Sequence, residues 1–282
     1  MKRRILDNAL QRLIFVIAIA GMLMMAAVIW EVIRRGWPAI TLDFLFEPSS
    51  NFGVDGGLLY QIIGTVILMG GAALIAFPIA VGAALFQTEY IRSEEVRIFF
   101  RAIIFSLNAV PTILFGLAGY LFFGVYLNTG VSWLTGALIL SIMILPTVQA
   151  SIQSAVESLP EKYREAGMSL GMTPWALARR VVLPQCWHGA VTGALLGLAR
   201  AAGETAAIMF TAVAFSGATW PRSFADPVPT LQTHILALAQ DSADAASMTN
   251  AWGAALVLIM IVFVLILTSF AVRSRFSMEA QR

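Results

Sequence analysis

The sequence predicts an all-α, polytopic membrane protein with six spans, and three observations carry that prediction. Hydrophobic residues fill 59% of the 282 positions and charged residues only 12%, about half the charged share of a soluble chain. Six apolar runs are each long enough to cross a bilayer, which takes about 20 helical residues. The cationic side chains are sorted to one side of those runs instead of gathering on a face.

The runs are Leu13–Ile33, Ile62–Phe86, Ala102–Tyr126, Val131–Ala150, Gly189–Ala214 and Ala251–Val272. Lys2, Arg3 and Arg4 precede the first, which is too long for a signal-peptide core and ends in no clear cleavage site, so it is expected to stay as an anchor. Residues 34–60 contain Pro38, Pro48 and the Gly56-Gly57 pair and read as irregular. Residues 87–101 are charged and extend the flanking helices beyond the membrane. Residues 215–250 carry Asp226, Asp241 and Asp244, and Leu231, Ile235 and Leu238 recur there at helical spacing. That spacing suits a short amphipathic helix on the outer surface, in a segment that is either a solvated loop or a docking surface.

With the N-terminus inside, fourteen Lys and Arg fall in inner segments, against Arg34, Arg35 and Arg222 outside. The positive-inside bias then puts both termini and residues 157–187 in the cytoplasm. Residues 1–282 read as one membrane-spanning domain.

The most polar stretch runs from Glu157 to Trp187. Ser158 and Glu161 have capping-box spacing, with Pro160 in the first turn. Tyr163, Ala166 and Leu170 recur at helical spacing, and Gly171 can close that helix in a left-handed turn. Thr173-Pro174 restarts a helix, Arg179 and Arg180 suit its carboxyl end, and Pro184 stops it. Two short helices about a glycine hinge are predicted. The plain alternative is an ordinary loop lying on lipid headgroups.

Apart from Glu31 at the end of the first run, Arg200 and Glu204 are the charges inside the six runs. A charge at a helix centre costs about 2.5–3.5 kcal/mol on insertion scales, so both must face protein or water. At i, i+4 they can pair, either as a structural ion pair or as a gate in which an oxyanion competes with Glu204 for the guanidinium. Thr205 and Thr211 follow on the same run, and Asn108 beside Pro111 is a further pathway candidate or an interhelical hydrogen bond.

Other chemistry is thinly represented. Cys186 is the single cysteine, and neither it nor His188 and His234 has a partner at metal spacing, so no cofactor or metal site is expected. There is no GxxxxGK[ST] nucleotide loop, no HExxH and no nucleophile elbow. A net charge of +2 spread by topology does not point to nucleic acid.

Glu165-Ala166-Gly167, three spacers, Gly171, nine spacers, Val181, one spacer and Leu183-Pro184 resemble the EAA loop of ABC importer permeases. Gly167 stands for the second alanine of that pattern and Val181 for its isoleucine. Ala199-Arg200-Ala201-Ala202-Gly203-Glu204-Thr205, Phe210-Thr211-Ala212, Ile63-Gly64-Thr65, Val110-Pro111-Thr112-Ile113 and Ala251-Trp252 are similar to phosphate permeases of the PstA type. The resemblance implies a subunit without its own ATPase site. It implies a cytoplasmic ATPase dimer docked on residues 165–183, a second, PstC-like permease, an extracytoplasmic substrate-binding protein and a lipid environment. Glu165 would take an arginine of the ATPase, with Gly167 and Gly171 allowing close backbone contact. Ala150 and Gln153 depart from the Arg and Glu of that family, and Ala207 from its proline, which leaves sulfate, molybdate or phosphonate as alternative cargo. An ATPase-independent secondary transporter would instead show inverted repeats, further buried carboxylates or helices broken at midplane, and the sequence displays none of these.

Overall fold

The computed structural model describes residues 2–50, 55–213, 220–240 and 245–279. Helices dominate: α1 Lys2–Gly36, α2 Leu42–Phe46, α3 Leu59–Leu85, α4 Glu94–Ser106, α5 Thr112–Gly119, α6 Trp133–Glu157, α7 Glu161–Ser169, α8 Pro174–Leu177, α9 Leu183–Gln185, α10 Trp187–Ala202, α11 Ala206–Thr211, α12 Leu231–Gln240 and α13 Ala245–Glu279. Strands β1 (Ser49–Ser50) and β2 (Asp55–Gly56) form one short antiparallel pair. By length and composition α1, α3, α6 and α13 can each cross a membrane, and two bent pairs bring the number of spans to as many as six.

The core lies where α3, α6 and α10 meet. On α3, Ala72, Ala76, Ala80 and Ala84 are fully buried at four-residue intervals, so a smooth stripe admits α6 closely. Gly189, Gly193 and Gly197 do the same on α10. A side chain there would come within 2.1 Å of the Ala155 Cβ, 2.9 Å of the Val148 carbonyl oxygen or 2.7 Å of the Val148 Cγ2. Ile144, Val148, Ile152 and Val156 of α6 fill the space between. Exposure of α1 from Leu10 to Trp30, Phe15 and Met22 included, suits contact with lipid or another subunit.

Four spans are single helices, and two differ from the sequence expectation. The third bends by 95° between Glu94–Ala109 and Thr112–Tyr126, because Pro111 offers no amide hydrogen to continue the helix. The fifth ends at Ala202 and resumes at Ala206 after Gly203, Glu204 and Thr205; its predicted end, Ala214, lies outside the described residues. Broken spans therefore no longer separate a secondary transporter from an importer subunit.

The segments between spans also differ. Residues 37–39 and 42–46 form short helices where irregular chain was expected. Helix α12 is real but is no surface helix: Leu231, Gln232, Thr233, His234 and Leu238 are buried. Its start is anchored by the Leu231 amide donating to Thr65 Oγ at 3.0 Å. Asp241, Asp244 and Arg282 lie outside the described residues.

Candidate functional site

The polar hairpin forms between α6 and α10 for identifiable local reasons. Helix α7 ends because Gly171 adopts φ +74, the left-handed conformation that glycine takes without steric cost. Thr173 caps α8 by accepting the Ala176 amide at 3.3 Å. Two expectations fail here. Ser158 does not cap α7; its hydroxyl donates to the Ala155 carbonyl and it closes α6, leaving Pro160 at the N-cap. Nor does Pro184 stop the second helix. A π-turn covers residues 178–182, and the helix runs one residue past Pro184 to Gln185 before bending by 68° into α10.

The predicted coupling residues divide by environment. Glu165 and Ala166 are exposed, and Tyr163, Met168, Leu170 and Trp175 present apolar surface beside them. Gly167 is buried, and a side chain there would meet Leu177 Cδ1 at 2.4 Å. Its small size serves the packing of α7 on α8. Val181 and Leu183 pack on the main core, while Pro184 is exposed.

Arg164, unremarked in the sequence reading, holds the hairpin from beneath. Its guanidinium pairs with Glu89 at 3.0 Å and donates to the Val156 and Leu159 carbonyls at 3.0 and 3.2 Å. Burial works against its charge, but the Glu89 and Glu161 carboxylates prevail and raise its pKa above the ordinary arginine value. Its place next to Glu165 was the available signal.

Around the breaks in the third and fifth spans the structure brings Arg200 and Asn108 together. Arg200 Nη1 donates to Asn108 Oδ1 at 2.9 Å and to Thr147 Oγ at 3.1 Å. Thr147 was not foreseen; its signal is a hydroxyl following the proline of a span. The expected Arg200–Glu204 pair is absent among the described residues. The cause is the helix end. Gly203 and Glu204 turn back to the Arg200 and Ala201 carbonyls in tight turns, and Gln232 of α12 donates to the Ala202 carbonyl at 2.5 Å, so Glu204 loses the i, i+4 register. Thr205 stands in the break and caps nothing, while Thr211 bonds back to the Ala207 carbonyl at 2.9 Å. One guanidinium nitrogen is thus held from two directions, and among the described residues nothing takes the Nε–Nη2 edge, the edge that grips an oxyanion with two hydrogen bonds.

A helical bundle with up to six spans, a protruding polar hairpin and one held arginine at two helix breaks defines a polytopic membrane permease. Residues 76–278 match the family described as "Binding-protein-dependent transport system inner membrane component", and the chain belongs to that family. It is 30% identical over 249 residues to the "Probable ABC transporter permease protein YqgI" of Bacillus subtilis (strain 168), covering 82% of this chain and 83% of that one. It is also 30% identical over 211 residues to the "Phosphate transport system permease protein PstA" of Pasteurella multocida (strain Pm70), covering 75% of each. Its fold is similar to a chain of a bacterial alginate ABC transporter solved with its alginate pentasaccharide-bound periplasmic protein, with TM-score 0.65, 16% identity and 93% of both chains covered. The chain is accordingly an ABC importer permease, a multi-pass inner-membrane protein.

Proposed function

We propose that this chain is the phosphate-conducting permease subunit of an ATP-driven importer, all of residues 1–282 forming one transmembrane domain with both termini in the cytoplasm. It works beside a second, PstC-like permease, receives its anion from an extracytoplasmic binding protein, and is moved by a cytoplasmic ATPase dimer, having no ATPase site of its own. The observation that carries this reading is the guanidinium of Arg200, fixed by Asn108 and Thr147 at two helix breaks with its two-pronged edge unused among the described residues. A membrane-embedded arginine prepared in this way suits a tetrahedral oxyanion, and PstA-type relatives narrow the choice to phosphate. Glu204 and Thr205, in the break, would exchange contacts with the anion as the fifth span moves.

Coupling enters through the hairpin. Glu165 and the apolar stripe about it contact the ATPase, Gly171 is the hinge, and Val181, Leu183 and Pro184 tie the second short helix to the core. ATP-driven closure would push the hairpin and swing Arg200 between outward and inward access.

Uptake of labelled phosphate by the reconstituted complex, challenged with sulfate, tests the cargo; preferential competition by sulfate would transfer the assignment to another oxyanion. Arg200→Gln should abolish uptake or uncouple it from ATP hydrolysis, and wild-type affinity and rate in that variant would reduce Arg200 to packing. Glu165→Lys with Gly171→Asp should lose ATPase association and transport while insertion persists. Uphill transport by the purified chain alone would favour a secondary transporter instead.

A further inference from the structure

We propose that Arg164 is the joint through which movement of the hairpin enters the membrane-spanning helices, so that it sets how much transport each ATP produces. The proposal rests on the reading of the hairpin as the ATPase contact. Arg164 and Glu165 are neighbours in the chain and face opposite ways. Glu165 is exposed, whereas the Arg164 side chain retains 15% of its exposure and its partner Glu89 6%.

Three elements converge on the one guanidinium. Nε and Nη2 donate to Glu89 Oε1 at 3.1 and 3.0 Å, in the turn that finishes α3. Nη2 also donates to the Val156 carbonyl and Nη1 to the Leu159 carbonyl, at the inner end of α6. Nη1 further reaches Glu161 in the first turn of α7, at 3.2 Å. Beside this cluster the Cys186 thiol donates to the Ala155 carbonyl at 3.3 Å, so the start of α10 is tied to the same end of α6.

Shielding a charge pair from water carries a desolvation cost that an apolar pair of equal volume avoids. What the pair supplies in return is direction: the planar fork fixes where α7 sits relative to both α3 and α6. A greasy side chain would fill the space and leave α7 free to slide. With the fork in place, a push on the outer face of α7 is passed to the ends of two spans together.

The test uses the whole importer in proteoliposomes and reads labelled phosphate taken up per ATP hydrolysed. Arg164→Gln is expected to keep the ATPases bound and hydrolysing while uptake per ATP falls about tenfold or more. Arg164→Lys, which keeps the charge and loses the fork, recovers part of it. Glu89→Gln, which leaves Arg164 its carbonyl acceptors, falls between the two. An unchanged ratio in Arg164→Gln overturns the proposal, and Glu89→Gln decides in the same way if Arg164→Gln fails to assemble. Loss of ATPase binding in step with uptake in Glu89→Gln also overturns it, because the pair would then build the docking surface. A wild-type complex showing no ATP-dependent oxyanion uptake refutes the underlying reading of the chain, a failure distinct from that of the joint.

Discussion

Replacing Thr147 by valine keeps the outline of the side chain and removes a hydroxyl that accepts from Arg200 Nη1 at 3.1 Å. A hydrogen bond to a charged group is worth about 1.5–3 kcal/mol. Asn108 still holds the same nitrogen from the other side and the site is half-exposed, so the lower figure applies. At about 1.4 kcal/mol per factor of ten, kcat/KM for anion uptake should fall about tenfold. Thr147→Ser keeps the hydroxyl and should stay near wild type. In an Arg200→Lys background, where the fork is gone, Thr147→Val should have little further effect. The assay is initial-rate uptake in proteoliposomes over a range of anion concentrations, with ATP hydrolysis followed in parallel. If the valine variant transports within about twofold of wild type, an effect smaller than one such bond, the argument that Thr147 orients the guanidinium is wrong. A loss in the serine variant with the valine variant near wild type would point instead to the methyl group's packing.

Three further outcomes follow from the geometry. Gly171→Ala places a side chain at φ +74 with nothing within 4 Å of it, so its penalty is conformational, about 1–2 kcal/mol, and should weaken ATPase association; Gly171→Asn, which tolerates that conformation, should lose markedly less. His234 is held to about 4 by burial and contacts Gln61 of α3 at 3.5 Å. Since its folded pKa lies below the unfolded value, the unfolded state binds more protons in acid. Stability of α12 should therefore decline as pH falls from about 6.5 towards 4, and His234→Gln should flatten that limb in hydrogen exchange over residues 231–240. Gly193→Leu should prevent α10 from seating on α6, since even a Cβ there lies 2.9 Å from the Val148 carbonyl oxygen, and insertion should survive while assembly fails by co-purification.

Much of the architecture was legible because a bilayer imposes few options on a chain. Hydropathy picked out the four helices long and apolar enough to cross a membrane, and glycine and threonine located the turn at Gly171 and the restart at Thr173. What escaped the sequence reading was decided by tertiary partners. A helix running through Gly203 is acceptable to hydropathy, and the break depends on Gln232 taking the Ala202 carbonyl from 30 residues away. The 95° bend of the third span needed the proline and its setting together. Leu231, Ile235 and Leu238 correctly indicated a helix, but polar Gln232, Thr233 and His234 on its other faces hid the fact that it is buried. Arg164 looked like one of many positive-inside charges because its partner Glu89 lies 75 residues earlier.

The three regions of interest share one element. Helix α6 is held at its N-terminal end, where the Trp133 amide donates to the Asp226 carbonyl at 3.0 Å and its indole to the Ser223 carbonyl at 3.0 Å. It meets Arg200 at Thr147, and it meets Arg164 at Val156. Thr147 and Val156 are nine residues apart, about 14 Å along a helix rising 1.5 Å per residue. Sites more than about 7–10 Å apart without shared partners normally contribute additively. If α6 moves as a rod, Arg164→Gln and Thr147→Val instead act on one displacement. Their combined effect on uptake per ATP should then fall well short of the product of the single effects. Strict multiplicativity in that double-mutant cycle would show that the hairpin and the guanidinium respond to separate motions, and would leave α6 as scaffold alone.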